Sequence, residues 1–350
     1  MMLPKTMKAA ILQELNQPLV VDEVELPAEL GVGQVLIKIA YSGICGSQLG
    51  EIKGVKGEDK YLPHLLGHEG SGIVKMVGPG VKHVQLNDHV VLHWKQGKGI
   101  ESVPPIYRWK GGDLNAGLVT TFSEYSIVSE NRLTPIDKET QLDIAALYGC
   151  AVSTGFGVIE NNAKIKPGES LVIFGAGGVG LNMIQAASLV SAYPIIAIDL
   201  FDNRLELARS VGATHIINSK KQNAEEEIKK IVNDKGLDVF VDNTGQPSII
   251  ELGYHLTNKN GRLILVGVPQ HSNNITIHSL PLHFGKTLTG SHGGESIPED
   301  DIPRYEKLLK AELIQLKPII SEYFSLNDIN IAINGMKDGS ISGRCLIKLS

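Results

Sequence analysis

The second half of the chain alternates short apolar segments with longer amphipathic ones, and this alternation constrains the fold more than any other feature. Apolar segments at 171–174, 195–198, 215–217, 238–241 and 263–266 have the length and composition of buried strands. Between most of them lie stretches of about ten residues or more with helical spacing. Strands that alternate with such helices belong to a parallel sheet. The pattern therefore predicts an α/β domain with a doubly wound parallel sheet.

The first 150 residues follow a different pattern. Strands are predicted at 35–39, 71–77 and 89–92, separated by Gly, Pro and Asn, which is typical of a barrel-like or sandwich β domain. After residue 295 two short helices and a last strand are predicted to return to this domain. A length of 350 residues fits about two domains. We therefore predict one domain from 1–151 with 295–350, and a second from 152–294.

The segment from Trp94 to Val119 is irregular, and we predict a long surface lobe there. It carries basic and aromatic side chains, namely Lys95, Lys98, Tyr107, Arg108, Trp109 and Lys110. One interpretation is a solvated loop or a subunit contact. The other is a clamp for an anionic substrate such as a sugar phosphate.

Composition excludes several classes of protein. A net charge of −5 and a pI near 6.1 leave no general basic surface for nucleic acid. No apolar run reaches the ~18 residues that a membrane span needs, and the first ten residues lack the apolar core of a signal peptide. Three cysteines without framework spacing favour a reducing compartment. These features predict a soluble cytoplasmic protein with no nucleic-acid or membrane partner.

A glycine-rich turn joins the first strand of the alternating region to its helix. The sequence Gly175-Ala176-Gly177-Gly178-Val179-Gly180 has the spacing GxGxxG. Alone this pattern is weak, because glycines also form merely structural turns. After a strand and before a helix, it allows the backbone to approach a pyrophosphate at the helix N-terminus. The turn therefore predicts a dinucleotide site.

The next strand ends in Asp199, which favours NAD over NADP. A carboxylate at this position can accept hydrogen bonds from the ribose hydroxyls and repels a 2′-phosphate. Arg204 lies close behind and can tolerate a phosphate, so NADP stays as an alternative.

Two cysteines and one histidine are candidates for a catalytic zinc site. Cys45, His68 and Cys150 are widely spaced and lie outside any CxxC pair. A catalytic zinc takes three protein ligands and keeps one position open, whereas a structural zinc is closed by four. Each residue taken alone also fits a buried core position. Cys345, in an apolar strand, is interpreted as a core residue.

Together these residues resemble the zinc-dependent medium-chain dehydrogenases, the superfamily of alcohol and polyol dehydrogenases. The resemblance covers nearly the whole chain and is most specific at 67–74, which is similar to the family's zinc signature. It implies a GroES-like β-barrel catalytic domain split around a Rossmann domain. It also implies zinc bound by the ligand set known for alcohol dehydrogenases, here Cys45, His68 and Cys150.

The same resemblance implies roles for further residues. Glu69 is expected behind the metal and Ser47 is expected to remove the substrate proton. The expected cofactor contacts are Thr154 and Val266 to Val268 at the nicotinamide, Arg204 at the adenosine ribose, and Arg344 at the pyrophosphate.

The sequence departs from the family in three places. Residues 94–119 contain no cysteine, so we expect one catalytic zinc and no structural zinc. Gly50 stands where some relatives have a proton-relaying histidine. Gln48 replaces the usual Asp, which supports a zinc-bound imidazole, so zinc affinity or electronics is expected to differ.

The resulting hypothesis is an NAD-dependent zinc dehydrogenase that transfers hydride between a primary or secondary alcohol and the nicotinamide. Because Gly46 and Gly50 leave room near Cys45, a polyol, sugar or sugar phosphate is favoured over ethanol. The alternatives are a zinc-free quinone-reductase-like enzyme and a non-catalytic nucleotide-binding protein of the same fold. Relatives form dimers or tetramers, and a strand at 275–278 together with the segment 286–291 is predicted to supply the subunit contact.

Overall fold

The computed structural model describes residues 3–350, apart from the side chain of Asp234. The strands are β1 (Thr6–Leu12), β2 (Val20–Glu25), β3 (Gln34–Gly43), β4 (His64–Leu65), β5 (Glu69–Val77), β6 (His89–His93), β7 (Tyr107–Trp109), β8 (Gly112–Leu114), β9 (Tyr125–Ser129), β10 (Leu133–Ile136), β11 (Leu171–Phe174), β12 (Ile195–Asp199), β13 (His215–Asn218), β14 (Leu237–Asp242), β15 (Thr257–Leu265), β16 (Thr287–Gly290), β17 (Ile320–Ser325) and β18 (Arg344–Lys348). The α-helices are α1 (Gly46–Ile52), α2 (Leu142–Ala146), α3 (Ala151–Gly157), α4 (Gly178–Leu189), α5 (Asp202–Ser210), α6 (Ala224–Val232), α7 (Pro247–Leu256), α8 (Pro298–Lys310) and α9 (Ile329–Asp338).

The chain divides into two compact units. The first unit contains the residues up to Cys150 together with Ile297–Lys310 and Ile320–Ser350. The second contains Ala151–Ser296 and Ala311–Ile319. The short segment 311–319, which the sequence predicts for the first domain, lies in the second unit.

The second unit is built on a six-stranded sheet in the order β13-β12-β11-β14-β15-β16. Every neighbouring pair in it is parallel. The central strands are buried on both faces, as expected when helices cover both sides of a parallel sheet. This is the strand order of a Rossmann domain, and it confirms the doubly wound parallel sheet.

The first unit is mainly antiparallel. One sheet has the order β4-β1-β2-β7-β8, and the other the order β10-β6-β5-β3-β18-β17 with β9 also paired to β3. In β18, Leu346 to Lys348 pair with Tyr41 to Gly43 of β3. The end of the chain thus completes the first unit, as the sequence predicts.

The segment 94–119 differs from the predicted lobe. Its middle forms β7 and β8, and Tyr107, Trp109 and Leu114 are buried in an apolar cluster with β1 and β2. The prediction of an irregular surface lobe is therefore wrong for 107–114. The strand β7 joins the sheet by pairing with Glu25 of β2, which is distant in sequence. Such non-local pairing leaves little strand signal in the sequence of a three-residue strand.

The basic side chains of this segment have partners within the first unit. Arg108 pairs with Asp113 at 3.7 Å and Lys98 with Asp300 at 3.4 Å. Lys110 lies over the Trp109 ring at 4.3 Å, and Lys95 over the Trp94 ring at 5.6 Å. Each of these four side chains thus has a partner of its own, and none of these contacts supports an anionic clamp.

A second correction concerns the edge of the parallel sheet. Residues 275–278 form no strand, although Ile275 and Ile277 pack against the core of the second unit. The edge strand is β16, which pairs with β15 through Arg262 to Leu265. The alternating apolar residues at 275 and 277 therefore belong to an irregular segment that packs on the core, and the predicted strand is wrong.

Among the described residues, no single helix is both long and apolar enough to cross a membrane. Taken together, the bent helix pair Leu142–Gly149 and Ala151–Ala163 is long and apolar enough to do so, by length and composition alone.

Candidate active site

Cys45 lies at the junction of β3 and α1. The strand ends at Gly43, and Cys45 immediately precedes the first residue of the helix. An added Cβ at Gly43 would stand 2.3 Å from Oε1 of Glu69, so a larger residue would displace that carboxylate. Gly43 is a residue of this site that the sequence did not single out, although it belongs to the motif that contains Cys45.

His68 and Glu69 are adjacent at the start of β5, and their side chains have different environments. The Nδ1 atom of His68 contacts Nε2 of Gln48. Its Nε2 atom is buried and has no hydrogen-bond partner among the described residues. Glu69 is fully buried and paired with Arg344. The free ring nitrogen of His68 is therefore the one available to a metal.

Cys150 reaches this place because the chain before it passes very close to two strands. An added Cβ at Gly149 would stand 2.3 Å from the carbonyl oxygen of Leu92 and 3.0 Å from Cα of Glu69. Glycine is needed for this approach. It places the Cys150 Sγ atom 3.9 Å from that of Cys45.

The three predicted metal ligands form one cluster. The donor atoms of Cys45, His68 and Cys150 all lie within 4.8 Å of one another. In a tetrahedral zinc site with bonds of ~2.3 Å, two sulfurs stand about 3.8 Å apart. The observed 3.9 Å fits that geometry, and the buried, unpartnered Nε2 of His68 supplies the third donor. Two thiols and one imidazole are the donor set of a catalytic zinc with an open position.

The two thiols are strongly coupled. Hydrogen bonding with Cys150, assisted by the charge of Arg344, holds the pKa of the Cys45 thiol well below its usual value in spite of burial. The same hydrogen bond, together with burial, raises the pKa of Cys150 well above its usual value. The shared hydrogen bond therefore favours the thiolate form at Cys45 and the thiol form at Cys150.

Arg344 is one of the largest fully buried side chains of the described residues. Its Nε lies 3.1 Å from Oε1 of Glu69, and its Nη1 donates to the carbonyl oxygen of Ile44 at 2.8 Å. The Nη2 atom is buried and makes no hydrogen bond to the described residues. The structure thus places Arg344 against Glu69 and the residue before Cys45. Its predicted contact with the cofactor pyrophosphate stays a prediction.

Ser47 lies in the first turn of α1, two residues after Cys45. Its Oγ atom is buried and has no hydrogen-bond partner among the described residues. Its neighbour Gly46 is exposed, and an added Cβ there would meet no atom within 4 Å. A hydroxyl group with unused hydrogen-bonding capacity therefore lies beside open space next to a predicted ligand.

The second unit contains the predicted cofactor residues. Gly175, at φ +105°, begins the turn after β11, and Gly177 directly precedes α4. An added Cβ at Gly180 would stand 2.1 Å from the carbonyl oxygen of Gly175. Gly178 and Val179 form the first turn of α4. The turn is thus held tightly against the helix N-terminus, where backbone N–H groups can bind a phosphate.

Asp199 ends β12, next to this turn. Its Oδ2 accepts from the Ala176 N–H at 2.8 Å, and its Oδ1 accepts from the Leu200 N–H at 2.7 Å. Nη1 of Arg204 lies 3.8 Å from Oδ1 of Asp199, and the guanidinium of Arg204 stacks on the ring of Phe201. The structure therefore brings Asp199 and Arg204 to the glycine-rich turn. The carboxylate also fixes the turn, a role that the sequence did not reveal.

Three further predicted residues lie in the second unit. Thr154 is buried in α3. Val266 and Val268 follow the end of β15; Val266 donates its N–H to the carbonyl oxygen of Asp242 at 2.8 Å, and Val268 is largely exposed. Their predicted contacts with a nicotinamide stay predictions.

Two family models match the chain. Residues 31–138 match the alcohol dehydrogenase GroES-like domain, and residues 178–311 match the zinc-binding dehydrogenase family.

Individual proteins are similar over nearly the whole length. The S-(hydroxymethyl)glutathione dehydrogenase of Synechocystis sp. is 32% identical over 95% of this chain and 97% of its own. Alcohol dehydrogenase 1 of Pisum sativum is 30% identical over 98% of this chain and 97% of its own. The crystal structure of benzyl alcohol dehydrogenase from Acinetobacter calcoaceticus superposes with a TM-score of 0.88 at 29% identity, covering 99% of this chain and 100% of that one.

Proposed function

We propose that this chain, which belongs to the zinc-dependent medium-chain dehydrogenase superfamily, oxidises an alcohol larger than ethanol with NAD as hydride acceptor. Its relatives make it an enzyme of the zinc-dependent alcohol dehydrogenase type. The coenzyme and the substrate class are the parts that we propose. The observation that carries the proposal is the cluster of Cys45, His68 and Cys150, with donor atoms within 4.8 Å of one another.

These three side chains would hold the zinc ion. Bound there, zinc supplies Lewis-acid chemistry that lowers the pKa of a substrate hydroxyl. Glu69 and Arg344 support the site from behind as a buried ion pair. The tight packing at Gly43 and Gly149 keeps Glu69 and Cys150 in place.

Ser47 is the residue that we propose to take the proton from the alcohol. Its Oγ is buried and free of hydrogen bonds to the described residues, so it can accept the hydroxyl proton as its own proton is passed on. Gly50, further along α1, has no side chain to continue a relay, so the onward acceptor is another group.

NAD is supported by Asp199. The carboxylate is fixed at the glycine-rich turn by the Ala176 N–H. A negative charge held there repels a 2′-phosphate and can accept a hydrogen bond from a ribose hydroxyl. A hydride acceptor in the second unit is in keeping with this sheet order, which binds dinucleotides at its switch point.

The substrate proposal is a neutral alcohol with a substituent larger than that of ethanol, such as a polyol, a sugar or an aromatic alcohol. Gly46 leaves open space beside Cys45. Similar proteins carry the names benzyl alcohol dehydrogenase and S-(hydroxymethyl)glutathione dehydrogenase. A sugar phosphate is disfavoured, because Lys98 and Arg108 pair with acidic residues of the first unit.

The proposed function is tested by metal content and turnover. We expect about one zinc per purified chain, and we expect Cys45→Ser to lose both the zinc and the activity. Cys345→Ser is the matched control, since Cys345 is buried against Met336 and should leave both unchanged. Normal turnover by a metal-free Cys45→Ser protein would contradict the proposal.

A substrate screen with NAD tests the substrate class separately. We expect polyols, sugars or benzyl alcohol to give a higher kcat/KM than ethanol. A strong preference for ethanol would reject this part. The zinc-free alternative predicts quinone reduction by metal-free protein, and the non-catalytic alternative predicts NAD(H) binding without turnover of any alcohol.

We also propose that the chain forms a homodimer or homotetramer through the edge strand β16. This strand lies at one edge of the six-stranded sheet. The nearby side chains of Leu280 and Phe284 are more than half exposed. An open edge beside exposed apolar side chains favours pairing with another copy. Light scattering on Phe284→Asp, with the wild type beside it, measures the assembly. A cytoplasmic location stays a prediction.

A further inference from the structure

Gln48 contacts two of the three proposed zinc ligands. The side chain is almost fully buried in α1. Its Oε1 accepts a hydrogen bond from the Cys45 N–H at 3.0 Å. Its Nε2 contacts Nδ1 of His68. One amide group therefore lies between two metal ligands and touches each through a different branch.

The metal-bound histidine needs an acceptor at this place. Because Nε2 of His68 is buried and has no hydrogen-bond partner among the described residues, it is the atom that would bind zinc in the proposed site. A neutral imidazole bound through Nε2 carries its proton on Nδ1 and donates it to a neighbouring acceptor. In the loaded site, Gln48 therefore faces two donors, the Cys45 N–H and the His68 Nδ1–H.

A glutamine side chain cannot accept on both branches. It has one oxygen, which accepts, and one NH₂ group, which only donates. With the oxygen on Cys45, the NH₂ group meets the ring proton of His68. With the amide turned over, the NH₂ group meets the Cys45 N–H instead. Either orientation leaves one pair of donors facing each other in a buried place, which costs free energy.

We propose that Gln48 is a positioning residue that weakens the hold of this site on zinc. The proposal rests on the proposed metal site and concerns its affinity. In the metal-free protein, the amide and the imidazole are matched only when the ring proton is on Nε2, the nitrogen that zinc requires. Binding of the metal therefore opposes the hydrogen bonding that Gln48 provides. A carboxylate at position 48 would accept from both donors and remove the mismatch.

The test is zinc release from the full-length loaded enzyme into a chromogenic chelator. We expect Gln48→Glu to release zinc at least ~10-fold more slowly than the wild type, the scale typical of changes next to a metal ligand. Gln85→Glu is the matched control, because it adds the same charge at an exposed position and should not change the rate. Gln48→Asp serves as the second carboxylate variant if Gln48→Glu does not fold.

A second readout separates hydrogen bonding from simple charge attraction. Nitrogen NMR of histidine-labelled, metal-free protein reports which ring nitrogen of His68 carries the proton. We expect Nε2–H in the wild type and Nδ1–H in Gln48→Glu. Equal or faster zinc release by the carboxylate variants, or an Nδ1–H tautomer in the wild type, would overturn the inference. A wild-type protein that contains no zinc would overturn the proposed metal site as well, so the two failures are distinguishable.

Discussion

Oε1 of Glu69 lies 3.1 Å from Nε of Arg344, and the two side chains are only 0% and 2% exposed. A buried charge that loses its partner is strongly destabilising, because water cannot replace the lost interaction. We expect Glu69→Gln to lower the free energy of unfolding by about 3–5 kcal/mol. The double variant Glu69→Gln with Arg344→Met should lose much less than the sum of the single variants.

Urea unfolding followed by tryptophan fluorescence measures this effect in the relevant part of the molecule. Both tryptophans, Trp94 and Trp109, lie in the first unit, as do Glu69 and Arg344. All proteins are compared at one zinc concentration, because a bound metal adds to stability. Additive losses in the double variant would show that the two side chains do not stabilise each other.

Arg132 forms hydrogen bonds that hold the segment before β7 against the connection between β9 and β10, which contains Arg132. It is buried, donates to both carboxylate oxygens of Glu101 at 2.7 and 3.0 Å, and also donates to the carbonyl oxygen of Trp94. We expect Arg132→Met to cost about 2–3 kcal/mol, the scale of hydrogen bonds to charged groups. The control is Lys98→Met, which breaks the exposed pair with Asp300 and should change stability little. Equal effects of both variants would contradict a special role for Arg132.

His93 makes the first unit sensitive to acid. Its Nδ1 donates to the carbonyl oxygen of Lys95 and its Nε2 accepts from Oγ1 of Thr134, so the ring is held neutral. Burial lowers the pKa of His93 to about 4, against about 6.5 in an unfolded chain. Between these values the unfolded state binds more protons than the folded state. Stability therefore rises with pH across this window and is lost as the pH falls from about 6.5 towards 4.

The free energy of unfolding that His93 causes to be lost between pH 6.5 and pH 4 amounts to about 3 kcal/mol. We expect His93→Gln to flatten the pH dependence of unfolding between pH 4 and 6.5, measured by tryptophan fluorescence in urea. His271→Gln is the control, since His271 is exposed. An unchanged slope in His93→Gln would show that another group causes the acid sensitivity.

Asp199 determines the choice of coenzyme in our proposal. We expect Asp199→Ala to raise the KM for NAD about 10-fold or more, since a lost polar contact of this kind is worth ~1.4 kcal/mol or more. The preference for NAD over NADP should narrow, because the repulsion of a 2′-phosphate is removed. The control is Asp202→Ala, three residues after Asp199, which removes an exposed carboxylate paired with Lys221. An unchanged ratio of kcat/KM values for the two coenzymes would show that Asp199 does not contact the ribose.

The two halves of the chain differed in how far the sequence predicted them. In the second unit, β11 and β12 begin and end within one residue of their predicted bounds, because each strand is bounded by turn residues. The strands β7 and β8 were missed, since their pairing depends on Glu25, more than eighty residues away. The local sequence pattern contains the bounds of such strands, but it does not contain pairing between residues far apart in the chain.

The same contrast holds within the site. The types and contexts of Cys45, His68 and Cys150 predicted a ligand set, and the structure places these donors together. The pairing of Arg344 with Glu69 was not predicted, because the resemblance suggested another partner for Arg344. Nor was the requirement for glycine at position 43, which follows from the position of the Glu69 carboxylate. Both depend on side-chain packing between residues far apart in sequence.

The pairing of β18 with β3 has a consequence for the order of events during synthesis. Arg344 contacts Ile44 although 300 residues separate them. While the chain emerges from the ribosome, β3 and β5 are present long before β18, so the ion pair of Glu69 with Arg344 forms only after residue 344 has been made. The parallel sheet of the second unit has its last strand at residues 287–290 and can assemble earlier. A nascent chain is therefore expected to form the parallel sheet of the second unit first and the buried pair of Glu69 and Arg344 last.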